Sequence, residues 1–130
     1  MRLQKFVAAV PAVVLGLLFL PSLSHAQAIY GSLFGTVTDN TGAVVPGATI
    51  TVTDESKGTS VTAQSNESGD YTVQHLIPDT YDIKVTAPNF KTFEQTGIAV
   101  AANTSPKVDA HLEVGGESET VTVLADTLPP

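Results

Sequence analysis

Two histidines, two serines and one cluster of side-chain oxygens are the residues here best equipped for chemistry. His75 and His111 are the imidazoles beyond residue 28. A zinc site draws three or four nitrogen or sulfur ligands from closely spaced residues. Neither histidine has another histidine or a cysteine at such spacing, and the chain has no cysteine at all. That absence also removes disulfides and thiol catalysis. Ser65 and Ser68 precede His75 closely enough to suggest a nucleophile and its base. No nucleophile elbow and no oxyanion-hole glycines accompany them, so both are expected to be turn serines. Asn66, Glu67 and Asp70 could gather oxygens around calcium, but the spacing of an EF-hand loop is missing and Asx-turn hydrogen bonding accounts for the same residues. The expectation is a protein with no catalytic residue, no metal ligand and no cofactor.

Binding chemistry is the alternative to catalysis. A sugar platform needs exposed aromatic rings. The chain has no tryptophan, and Tyr71 and Tyr81 fit core positions. Phe34, Phe90 and Phe93 remain as outward candidates, with at least one expected beneath a loop, and no sugar site can be named from them. Near the C-terminus, Glu119 is followed by Thr120, Val121, Thr122 and Val123. Val121 and Val123 share one face of an extended segment, whose backbone could add to the sheet edge of a partner. The same residues also read as the last strand of the domain.

The elements that would hold these residues are strands. Leu33, Gly35 and Val37 alternate with Phe34, Thr36 and Thr38, and Ala48, Ile50 and Val52 alternate with Thr49, Thr51 and Thr53. A period of two buries one set and exposes the other. Between them Asp39-Asn40-Thr41-Gly42 and Pro46-Gly47 supply turn chemistry, with Asn40 and Gly42 able to take positive φ. A third strand runs from Thr59 to Ser65 with Val61 and Ala63 inward, and a fourth carries Tyr71 and Val73. In the fifth, Tyr81, Ile83, Val85 and Ala87 face one way and Asp82, Lys84 and Thr86 the other. Phe90 to Val100 is a less regular extended stretch. Val108, Ala110, Leu112 and Val114 alternate in the next strand. No apolar pattern of helical period persists beyond residue 28. Six or seven short strands at about 8–12-residue spacing predict an all-β sandwich, with a closed barrel as the structural alternative.

Residues 1–28 read as a secretory signal peptide. Arg2 and Lys5 form a positive start, Phe6 to Leu20 is apolar, and small residues offer cleavage after Ala26 or Ala28. The apolar run falls short of the roughly 20 residues that span a bilayer, so no transmembrane span is expected in the mature chain. The whole chain carries 6 basic against 13 acidic residues, net −7, and the part beyond the signal keeps no arginine. Such a surface repels phosphate backbones, which makes nucleic acid an improbable partner. What remains is a domain of roughly 90–100 residues, large enough for a modest core.

Taken in order, Gly35-Thr36-Val37-Thr38-Asp39, Gly42, Pro46-Gly47-Ala48, Ile50, Ser68-Gly69-Asp70-Tyr71, Leu76, Pro78, Tyr81 and Ala87 through Phe90 resemble the carboxypeptidase regulatory-like domain. The resemblance covers about residues 31 to 114. It implies a single small antiparallel β-sandwich of the prealbumin or immunoglobulin-like kind, within the carbohydrate-binding-like fold group, and no peptidase activity. Asp79 and Asn89 stand where the family usually has glycine. Both tolerate left-handed backbone, so the turns remain plausible. The stretch Leu112-Glu113-Val114-Gly115-Gly116 followed by Glu119 to Val123 is similar to the junction and TonB box of TonB-dependent outer-membrane receptors, some of which carry this sandwich ahead of plug and barrel.

The implied organisation is a signal peptide at 1–28, the sandwich at 29–116 and a TonB-box-like or last-strand tail at 117–130. The implied function is a non-catalytic exported binding or spacer module in the periplasm, at the outer membrane or secreted. It would be a truncated receptor or a free-standing sandwich, partnered by a TonB-type protein or by a receptor plug and barrel absent from this chain. A carbohydrate-binding module is the alternative.

Overall fold

The computed structural model describes Pro21 and residues 29–125; the expected signal peptide lies almost wholly outside them. Eight strands form in chain order: β1 (Gly31–Asp39), β2 (Thr49–Asp54), β3 (Ser60–Gln64), β4 (Asp70–Leu76), β5 (Asp79–Thr86), β6 (Thr92–Val100), β7 (Ala110–Leu112) and β8 (Thr120–Leu124). They make a three-stranded sheet, β4-β1-β7, and a five-stranded sheet, β3-β2-β5-β6-β8. The sandwich expected from the alternation is present. Its eighth strand is the tail segment.

Period-two patterning sets the faces. Leu33 and Val37 of β1, Ile50 and Val52 of β2, and Ile83 and Val85 of β5 are all but inaccessible and meet between the sheets. Ile50 lies opposite Val85 and Val52 opposite Ile83, so the inward residues of β2 and β5 coincide. Their neighbours Thr51 and Lys84, and Thr53 and Asp82, face away from the core. Tyr71 and Tyr81 are buried as expected, and each hydroxyl finds a carbonyl: Tyr71 donates to Val108 and Tyr81 to Ile77.

The path between strands differs from the simplest reading. β1 and β2 follow one another but do not pair; they lie in different sheets. Asp39 curls the chain back on itself by accepting hydrogen bonds from Thr41 N at 2.8 Å, Thr41 Oγ1 at 2.6 Å and Ala43 N at 3.1 Å. Val45, buried, then carries the chain across the end of the core. Two later crossings have a further consequence. The chain passes from β6 to β7 and back to β8, so β7 runs parallel to β1 and β8 parallel to β6. The remaining pairings are antiparallel.

Sheet width explains where burial departs from alternation. Val61 pairs with Val52 and so has the inward parity expected of it, yet it is 48% exposed. β3 is the edge strand of the wider sheet, paired on one side only, with β2. Val114, also expected inward, is 67% exposed because β7 ends at Leu112. Asn89 takes the left-handed backbone foreseen for it, at φ 69°. Asp79 does not: it opens β5, paired with Val100, and the left-handed residue before this turn is His75 at φ 59°.

One close approach fixes β7. A Cβ on Gly35 would lie 1.8 Å from the Val108 carbonyl oxygen and 3.0 Å from the Tyr71 ring. Only glycine lets β1 pass beneath that carbonyl. Gly47 is a different case, with φ +70° and nothing within 4 Å of its missing Cβ. Gly35→Ala should therefore destabilise the domain by about 3 kcal/mol, the upper end for overpacking. Gly47→Ala should cost about 1 kcal/mol, from backbone conformation alone. Urea unfolding followed by tyrosine fluorescence checks the ordering, which reverses if the β1–β7 approach is looser than described.

Candidate binding site

The sequence-selected polar residues serve the turns. Ser65 is 6% exposed; its Oγ accepts from Ala48 N at 2.8 Å and donates to Val45 O at 2.7 Å. It ties β3 to the crossing that precedes β2. Asn66 Oδ1 accepts from Ser68 N at 2.9 Å and Asp70 N at 3.0 Å, the Asx turn expected in place of a calcium loop. Asp70 Oδ1 is taken by Thr36 Oγ1 at 2.7 Å. His75 meets Tyr30 edge-on with ring centroids 5.6 Å apart, and His111 Nδ1 lies 2.8 Å from Thr38 Oγ1. The structure therefore brings none of these into a nucleophile–base pair. Among the described residues no three His, Asp or Glu gather as a metal-binding group.

The tail segment is now a strand. Thr120, Val121, Thr122 and Val123 lie opposite Thr92, Phe93, Glu94 and Gln95 of β6. Glu119 leads in: its carbonyl accepts Thr92 N at 2.8 Å, and its carboxylate stands 3.4 Å from Lys91 Nζ. Val121 and Val123 share the inner face, as their spacing requires, and are half-buried. β8 ends the five-stranded sheet, so its other backbone edge faces no strand of the described residues.

Beside β8 lies a cleft that sequence reasoning did not find. It has a volume of about 300 Å³ and opens between β7 with its approach and the inner face of β6 and β8. Phe93, Gln95 and Val123 line one side, and Lys107, Val108, Asp109 and His111 the other. The only signal in the sequence was Gln95, a polar residue at an inward position between Phe93 and Ile98. The register shift opposite Tyr81 and Ile83 hides that parity. The aromatic candidates divide accordingly. Phe93 is 5% exposed, Phe90 packs partly on the core, and Phe34 stays 39% exposed.

Charge is concentrated in small networks. Lys107 Nζ stands 3.7 Å from Asp109 Oδ2, while Asp109 Oδ1 accepts from Thr36 N at 2.9 Å. Burial, with a smaller contribution from Asp109, pushes the Tyr71 phenol well above its ordinary value. The hydroxyl of Thr41, and then its backbone N–H, hold the Asp39 carboxyl below the usual carboxylate value. The Thr80 N–H, chiefly, does the same for Asp79. Glu55 moves the other way, raised mainly by sharing a hydrogen bond with Asp82.

The profile of the carboxypeptidase regulatory-like domain matches residues 32–113. A comparison with curated proteins finds no match. Among solved structures, a putative carbohydrate binding protein from Bacteroides uniformis is 26% identical with a TM-score of 0.51. The match covers 62% of this chain and 40% of that protein's length. A minor pilin of Streptococcus agalactiae is 12% identical, with a TM-score of 0.55 over 68% of this chain and 46% of its own. A catechol 1,2-dioxygenase from an Acinetobacter species is 10% identical, with a TM-score of 0.53 over 78% of this chain and 60% of its own. The last two likenesses are of fold alone. No helix among the described residues is long and apolar enough to cross a membrane.

Ser65→Ala removes an acceptor and a donor in a sealed position and should lower stability by about 1–3 kcal/mol. An unchanged urea midpoint would mean that the Val45–Ala48 crossing does not depend on it. The acid side of the stability profile has a definite sign. Asp39 and Asp79 titrate below their unfolded values when folded, so their contribution is present above the ordinary aspartate value of 3.8 and fades as pH falls through the depressed values. Glu55, raised, contributes stability below its ordinary 4.5 and loses it as pH rises through its folded value. Asp39→Asn should flatten the fall in melting temperature below about pH 4. A fall as steep as that of the parent would remove Asp39 from the account.

Proposed function

This chain belongs to the carboxypeptidase regulatory-like domain family, and we propose that it is a non-catalytic exported module that binds a partner strand along β8. In this reading it works as the N-terminal extension of a TonB-dependent outer-membrane receptor, binding or spacing in the periplasm, with Glu119, Thr120, Val121, Thr122 and Val123 offered to a TonB-type protein. The observation that carries it is the position of β8 at the end of the five-stranded sheet. Inward pairing with β6 uses one backbone edge of Thr120 to Val123; strand addition would use the other, which pairs with no strand among the described residues. Neither lysine nor proline protects Thr120 to Val123, the usual means by which exposed edges are blunted. Export rests on the signal-like residues 1–28.

Carbohydrate binding is the second reading. The likeness to a putative carbohydrate binding protein and the cleft beside β8 support it.

Adding the C-terminal domain of a TonB-type protein to the isotope-labelled chain should shift the amide resonances of Thr120 to Val123 and of their β6 partners Thr92 to Gln95. Resonances of residues 117–125 that stay in place at saturating partner would overturn the strand-addition reading.

A further inference from the structure

We propose that the cleft between β7 and the β6–β8 ribbon binds a single neutral sugar ring of pyranose size. The site deepens the carbohydrate reading and rests on it; it does not depend on a partner strand at β8.

Size sets the first limit. A cleft of about 300 Å³ is at the low end of small-molecule sites, roughly 300–1,000 Å³, so it takes one ring and not an oligomer.

Gln95 sets the chemistry. It is 6% exposed and lines the cleft, and its amide makes no hydrogen bond with any described residue. No fully enclosed side-chain polar atom among the described residues lacks a partner, so the Gln95 amide keeps its exposure through the cleft mouth. A primary amide presents a donor and an acceptor side by side. Two neighbouring hydroxyls of a sugar answer both at once.

The opposite wall is already oriented. Asp109 is held by Thr36 N at 2.9 Å and Lys107 by Asp109 at 3.7 Å. His111 Nδ1 is engaged with Thr38 Oγ1 at 2.8 Å, which fixes its ring. Lys107 and Asp109 offset one another's charge, so the wall offers donors and acceptors without selecting an anion. Phe93, Val108 and Val123 supply apolar surface for the C–H face of the ring. Polar groups converging on an apolar floor are the usual composition of a small-molecule site.

The test is a titration of the isotope-labelled full chain with glucose, galactose, mannose and N-acetylglucosamine to about 50 mM, a range suited to millimolar dissociation constants. At least one sugar should give saturable shifts of the Gln95 side-chain amide, of residues 107–111 and of Val123. Gln95→Leu should weaken that sugar about tenfold or more, the loss expected when a buried hydrogen-bonding pair is removed. Should this variant not fold, Lys107→Met at the exposed rim should weaken it about threefold or more. Saturable shifts centred instead on Tyr30 and Phe34 would overturn the site and leave the carbohydrate reading standing. No saturable shift from any of the sugars would overturn both. Tighter binding of glucuronate or inorganic phosphate than of glucose, or unchanged affinity in Gln95→Leu, would overturn the neutral-ring assignment.

Discussion

Three strands face five, and the rest of the molecule follows from that inequality. A sandwich buries an inner face only where the opposing sheet reaches it. β1, at the centre of the narrow sheet, covers β2 and β5, whose inward residues are nearly inaccessible. The outer strands of the wide sheet, β3 and β8, overhang. On one side the overhang leaves Val61 in water. On the other it leaves Val121 and Val123 half-buried and creates the cleft against β7. An incompletely covered inner face leaves apolar surface in contact with water. Both candidate binding surfaces therefore lie on the side where the overhang meets an unfinished sheet.

β7, at one edge of the narrow sheet, is locked where it is. Gly35 admits the Val108 carbonyl, Tyr71 donates its hydroxyl to that same oxygen, and Asp109 takes the Thr36 amide that a regular ladder would have paired with backbone. Three different interactions thus converge within two residues of β7. The strand itself is only three residues long and could not hold its register by ladder bonds alone. The consequence reaches the cleft, because the residues that hold β7 to β1 also orient Lys107, Asp109 and His111 along its rim.

Alternation made the faces legible and left the partners obscure. Period-two spacing in β1, β2 and β5 assigned inward and outward residues correctly, because those strands are central and covered. The same rule placed Val61 inward by parity and missed its exposure, since nothing in a strand's own residues says whether it lies at an edge. The turn residues between β1 and β2 were legible but not the path they serve: the Asp39 network and Val45 take the chain across the core into the other sheet. Left-handed backbone suits Asn89 and is absent at Asp79, which already pairs with Val100 as the first residue of β5, while His75 takes the positive φ. The turn roles of Ser65, Asn66 and Asp70 were readable from local chemistry. Gln95 was not, because a cleft between strands distant in sequence leaves only one polar residue out of pattern.

The tail shows why one segment could support two readings. Glu119 to Val123 has what an edge strand and a recognition strand both require: β-branched residues, alternating faces and no proline. Pairing with β6 consumes one edge and leaves the second; the two roles use opposite sides of one backbone. Lys91 reinforces this arrangement through Glu113 at 3.7 Å and Glu119 at 3.4 Å, although such half-exposed pairs add little stability. Backbone registry carries the strand instead: Thr92 donates its N–H to Glu119 and its hydroxyl to Glu117 at 2.8 Å. Because Val123 faces Gln95 across that registry and also lines the cleft, the sheet edge and the cleft floor are two faces of one strand, and neither surface could form if β8 were detached from β6.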